Sequence, residues 1–265
     1  MSLAAWRGRS RDAKADGAIT LSETDGVRYL HFGTEWVQGA MCIAHPLRLE
    51  LEYQQQMMAP LLYAPRPRAV LQLGLGAAAL TKFCRRRLRD CTVTVVDNSR
   101  EVVLTARQWF ALPPDDERLH VVVGDAKSYL RGRAGGADWL QVDLYDAQAR
   151  GPVFEDPAFY RLCRGSLRDG GVAVFNIFGG RLRSNVAVIA QVFERRVIRL
   201  ARSAAGNSVV LAFQGEPQEW RAADLRRRAR RIEERLRLPA GQWLDGMRGA
   251  DARAVATAPG DVIRI

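Results

Sequence analysis

The 265-residue sequence predicts an α/β domain: a mostly parallel sheet covered by helices on both faces, closed by a β-hairpin, with a small β unit in front. Three observations predict it. From Ala69 onward, short apolar runs recur that are nearly continuous rather than alternating, the pattern of strands buried on both faces. Stretches with helical spacing separate these runs through short loops, as in βα units. The last two runs are joined by Ala204-Ala205-Gly206-Asn207, a tight hairpin turn.

The elements follow in order. Residues 1–16 read as a polar tail. Residues 17–48 read as the small β unit, because Ala18–Glu23 and Val27–Phe32 are β-prone and flank the turn signal Thr24-Asp25-Gly26. The catalytic domain is expected over 49–215. It opens with apolar residues at helical spacing from Leu49 to Leu62, ended by Ala64-Pro65-Arg66-Pro67. Strands are expected at Ala69–Leu73, Thr92–Val96, Leu119–Val123, Trp139–Val142 and Val172–Asn176. Helices are expected at Ala77–Leu88, Ser99–Ala111, Ala126–Leu130, Asp156–Leu167 and Asn185–Glu194. Arg196–Arg202 and Ser208–Phe213 form the closing hairpin. This alternation is typical of class I methyltransferase-like, Rossmann-like folds. Residues 216–265 read as a basic helix and a Gly/Ala-rich tail in which no chemistry is evident.

Composition excludes several classes. With 48% apolar and 26% charged residues, the chain builds one substantial core rather than a disordered polymer. No apolar run approaches the roughly 20 residues of a membrane span. The start, Met1 to Lys14, carries Arg7, Arg9 and Arg11 without an apolar stretch behind them, so the expected compartment is the cytoplasm. Cys42, Cys84, Cys91 and Cys163 are scattered, and no metal site is expected. The net charge of +11 is almost all arginine, since lysine occurs only at 14, 82 and 127. A GC-rich genome produces that bias without functional demand. The densest cluster, Arg226 to Arg237, alternates with Leu225, Ile232 and Leu236 as a solvated helix face, so nucleic acid is not expected as a partner.

Four motifs carry chemistry. Val70-Leu71-Gln72-Leu73-Gly74-Leu75-Gly76 is a buried strand running through Gly74 and Gly76 into a helix, where backbone approaches a ligand and unpaired N–H groups face it. A turn without ligand has the same look. Asp97 ends the next strand, placed to accept hydrogen bonds from both ribose hydroxyls of an adenosine. Gly124-Asp125-Ala126 closes the third strand; Asp125 suits an adenine amine, or an N-cap, or both. Asp143 and Asp146, in Val142-Asp143-Leu144-Tyr145-Asp146, close the fourth strand at the end of the sheet where ligands react. Two carboxylates there can hold a cationic amine and take its proton.

With these motifs the sequence resembles the polyamine aminopropyltransferase family, of which spermidine synthase is the best known. The similarity runs over residues 18–213, from Asp25-Gly26 through Glu52-Tyr53-Gln54-Gln55, the glycine turn, Val96-Asp97, Gly124-Asp125-Ala126, Asp143-x-x-Asp146, Gly151-Pro152 and Val153-Phe154-Glu155. It continues through Phe159-Tyr160 and Leu167-Arg168-Asp169-Gly170-Gly171-Val172. The resemblance implies a cytoplasmic homodimer that binds decarboxylated S-adenosylmethionine and an amine such as putrescine. It implies that Asp97 holds the ribose, Asp125 with Ala126 the adenine, and Gln54 the nucleoside. Tyr53 and Asp146 position the acceptor, and Asp143 is the general base.

The sequence also departs from the family. The glycine turn reads Gly74-Leu75-Gly76-Ala77-Ala78-Ala79, where the family has Gly-Gly-Gly-Asp-Gly-Gly. The family's aspartate holds the aminopropyl ammonium and repels the carboxylate of intact S-adenosylmethionine; Ala77 removes that discrimination. After Asp146 the usual proline is Ala147, and two extra residues precede Gly151-Pro152. Three readings follow: an aminopropyltransferase, a methyltransferase using intact S-adenosylmethionine, and a non-catalytic binder of a nucleoside thioether.

Overall fold

The computed structural model describes residues 6–7, 18–145, 156–179, 181–251, 253–255, 258 and 260–265. The front sheet holds β1 (Trp6–Arg7), β2 (Ile19–Thr24), β3 (Val27–Phe32) and β4 (Gly39–Cys42), all antiparallel. Thus two residues of the stretch read as a tail pair with Leu21 and Thr20, and β4 was not foreseen.

The segment expected as one helix over 49–62 is two pieces: α1 (Glu52–Gln56) and a 3₁₀ turn at Ala59–Leu62. Pro60 explains the break, since it has no N–H to continue the helical ladder. The main sheet comprises β5 (Ala69–Leu73), β6 (Thr92–Asp97), β7 (Leu119–Val123), β8 (Ala137–Val142), β9 (Leu167–Phe178), β10 (Val197–Arg199) and β11 (Asn207–Phe213). Its order is β10-β11-β9-β8-β5-β6-β7, with β11 antiparallel to both of its neighbours, β10 and β9, and the other strands parallel to one another. The crossovers are α2 (Ala79–Arg87), α3 (Arg100–Trp109), α4 (Ala126–Arg131), α5 (Pro157–Ser166) and α6 (Leu182–Val192).

Two boundaries differ for backbone reasons. α2 starts at Ala79 rather than Ala77 because Ala78 is left-handed (φ 55°), the last bend of the glycine turn. β9 begins at Leu167 rather than Val172, through a bulge that shifts register opposite Ala137 and Trp139. Gly170 takes φ +75° there, and a Cβ on Gly171 would lie 2.8 Å from the Arg168 carbonyl oxygen.

Within 216–265, residues from Leu225 to Met247 and Ile263 contribute to the core. β12 (Glu219–Arg221) pairs with β13 (Val262–Arg264), framing α7 (Ala222–Leu236) and α8 (Ala240–Asp245). Leu225, Ala229 and Ile232, on one face of α7, join the same buried cluster as β5 and β6. Trp220 packs edge-on against Tyr63 (4.9 Å) and tilted on Phe213 (5.4 Å), contacts of about 0.5–1.5 kcal/mol each beyond their burial. No helix among the described residues is long and apolar enough to cross a membrane.

Candidate active site

The strand order reverses between β5 and β8, and a cavity of about 520 Å³ opens at the carboxyl ends of these strands. Gly74 enters the turn with φ +94°; its N–H donates to Val96 O (2.8 Å), and a Cβ would lie 2.2 Å from the Asp143 carbonyl oxygen. A side chain cannot fit there, so glycine lets the ends of β5 and β8 meet. A Cβ on Gly76 (φ +50°) would lie 3.2 Å from the Gln38 carbonyl oxygen.

Asp97 organises the turn before any ligand arrives. Its Oδ2 accepts the Leu75 N–H (2.8 Å) and its Oδ1 the Ser99 N–H (2.9 Å). A carboxylate has about four acceptor sites, so this role is compatible with holding hydroxyls as well. Asp125 caps α4 by accepting the Ser128 N–H (2.7 Å), and hydrogen bonds from the Ser128 side chain and then its backbone N–H hold the carboxyl below the ordinary value. It lines the cavity together with Ala126, so capping and a ligand contact are sterically compatible.

Asp143 stands at the centre. Burial pushes its carboxyl pKa up, against hydrogen bonds from Asn176 and Tyr53 that favour the ionised form. Asn176 Nδ2 donates to Asp143 Oδ1 at 2.8 Å, and Asn207 Nδ2 donates to Asn176 Oδ1 at 3.0 Å. The Tyr145 hydroxyl donates to the Asn176 carbonyl (3.2 Å). Burial and the Asp143 charge push the Tyr53 and Tyr145 hydroxyls well up, so both are neutral donors.

The cavity thus brings together Gly74, Gly76, Asp97, Asp125, Ala126, Asp143 and Tyr53. Gln54 is not among the residues that line the cavity; its Nε2 donates to the hydroxyl of Tyr53, which does (3.5 Å). Gln54 is buried beneath, its Oε1 without a hydrogen-bond partner. Asp146, Ala147 and the Gly151-Pro152 and Val153-Phe154-Glu155 segments lie outside the described residues. Ala77 does not line the cavity either; it packs with Leu30, Met41 and Phe110 under the front sheet.

Three residues were missed. Asn176 had a signal, a polar residue at the carboxyl end of an apolar strand. Asn207 was read only as a turn residue. Gln38, which lines the cavity with a buried Nε2 lacking any partner, sits in a loop before an unforeseen strand and had no signal.

No family model matches the chain. It is similar to the polyamine aminopropyltransferase of Chromobacterium violaceum, with 32% identity over 248 residues covering 92% of this chain and 94% of that protein. Among solved structures, a spermidine synthase in complex with the transition-state analogue AdoDATO superposes with TM-score 0.63 at 19% identity, over 80% of this chain and 74% of that one. Human methyltransferase-like protein 13 in complex with SAH gives 0.62 at 21% identity, over 70% and 92%. At these identities the two structures speak for the fold alone. The first relative, alike in sequence over nearly its whole length, carries the further conclusion that the chain belongs to the polyamine aminopropyltransferase family.

Proposed function

We propose that this protein transfers an aminopropyl group from decarboxylated S-adenosylmethionine to an amine such as putrescine, with Asp143 as general base. The observation that carries the reading is the Asp143 carboxylate at the strand end, oriented by Asn176 and shielded by Tyr53 and Tyr145. The AdoDATO complex of a similarly folded spermidine synthase supports the choice of nucleotide.

On this reading Asp97 accepts the ribose hydroxyls, Asp125 and Ala126 meet the adenine, and the Gln38 amide donates to the nucleoside. Tyr53 and Asp146 position the acceptor. An ammonium acceptor gives a proton to Asp143, whose raised pKa brings it closer to the amine's. The freed lone pair attacks the carbon beside the sulfonium in line with the carbon–sulfur bond. The N–C bond forms as C–S breaks, the bonding pair goes to sulfur, and methylthioadenosine leaves neutral. Holding the two reactants in line supplies much of the rate. The resemblance further supports a homodimer working in the cytoplasm.

One observation favours a second reading, use of intact S-adenosylmethionine for methyl transfer. At the glycine turn the residue in the family aspartate's place is Ala77, so no carboxylate there repels the carboxylate of the intact nucleotide.

Calorimetric titration with decarboxylated S-adenosylmethionine, S-adenosylmethionine and methylthioadenosine tests both readings. Preference for the decarboxylated form, with methylthioadenosine released on adding putrescine, establishes the aminopropyltransferase. Equal or tighter binding of the intact form, with no release, overturns it. If the nucleosides bind and nothing turns over, the protein is a binder.

A further inference from the structure

A second depression lies between the carboxyl ends of two helices that the sequence places far apart. It is lined by Arg86 and Arg87 in the last turn of α2, Arg89 just beyond it, and Arg235 and Leu236 at the end of α7. It shares no lining residue with the active-site cavity.

Arginines at helix ends ordinarily cap carbonyls, pair with acids or cover apolar surface. Here other residues hold the first two roles. Arg118 donates to the Leu88 carbonyl (3.3 Å) and to the Arg89 carbonyl, capping α2. Arg85 pairs with Asp116, Arg226 with Asp245 and Arg227 with Asp224, while Arg228 donates to the Leu62 carbonyl. Arg86, Arg87, Arg89 and Arg235 make no ion pair and no side-chain hydrogen bond with any described residue, and all four are exposed. They line one depression, where a bound anion would offset the mutual repulsion of four like charges that no described carboxylate neutralises. Guanidinium forks match phosphate oxygens two at a time, and here they approach from two sides.

We infer that this depression is an anion site that takes a small compound bearing two or more linked phosphates. One phosphate satisfies about two forks; four forks on opposing helix ends suit a longer anion.

Titration with inorganic tripolyphosphate at about 0.15 M salt tests it. The proteins are wild type, R87Q/R235Q, and the control R253Q/R264Q, which removes two arginines paired elsewhere with Asp251 and Glu219. Wild type and control should bind one equivalent alike. R87Q/R235Q should bind about tenfold or more weakly, as loss of charge-assisted contacts implies, with catalytic activity unchanged. No saturable binding, equal loss in the control, or undiminished affinity in R87Q/R235Q overturns the inference. So does a short single-stranded RNA that binds more tightly than tripolyphosphate and weakens in the same variant, since that marks a nucleic-acid surface.

Discussion

Asn176 Nδ2 reaches Asp143 Oδ1 at 2.8 Å, and this bond, with one from Tyr53, orients the carboxylate on which the proposed chemistry depends. It also fixes the polarity of the next link. An ionised carboxylate only accepts, so Asn176 must turn its amino group to Asp143 and its oxygen to Asn207.

Asn176→Leu should therefore lower kcat by roughly tenfold or more, through misorientation of the base. The bond favours the ionised carboxylate, so removing it raises the Asp143 pKa further. Burial already holds the Asp143 carboxyl above the ordinary value of 3.8, so the acid limb of the kcat/KM pH profile should move to higher pH in the variant than in wild type. An unmoved limb would show that Asn176 acts only in packing.

Asp143→Asn should abolish turnover while nucleotide binding, read by calorimetry, is retained. Its stability effect has a definite sign. A carboxyl raised by burial binds protons more readily folded than unfolded, so wild type is penalised above the folded pKa and relieved as pH falls toward 3.8. The variant should melt at or above the wild-type temperature at pH 7.5, with the gap closing toward pH 4. A lower melting temperature at both would contradict this.

Gln38→Leu separates binding from folding. Its Nε2 is buried without a partner, so the apo protein should be no less stable, while nucleoside affinity should fall by about 0.5–1.5 kcal/mol. Affinity equal to wild type would remove Gln38 from the proposed site.

Gly74→Ala should cost more than about 2 kcal/mol in denaturant unfolding, because the new Cβ meets a backbone oxygen at 2.2 Å with φ at +94°. Activity should fall with it, since the shifted atom belongs to Asp143.

The parallel strands were legible because burial on both faces leaves continuous apolar runs, and β5 and β7 match their expected bounds. Asp97, Asp125 and Asp143 were legible because carboxylates at strand ends stand out against those runs. The antiparallel pieces were less so: Trp6–Arg7, Gly39–Cys42 and the Glu219–Arg264 pairing are short and lack turn signals, and their partners are set by tertiary contact. That Gln54 lies behind Tyr53 was not legible, because motif order says nothing about which side of a helix faces a cavity. Asn207 escaped because its partner Asn176 is 31 residues away.

The packing of β4 on the glycine turn has an evolutionary consequence. A Cβ on Gly39 would fall 2.5 Å from that of Ala77 and 2.8 Å from the Ala77 backbone nitrogen. Even glycine at position 77 would therefore leave residue 39 held at glycine, because the main chain itself stands in the way. Drift at residue 39 is barred by the path of the neighbouring backbone, so a descendant that enlarged it would have to reroute the turn as well.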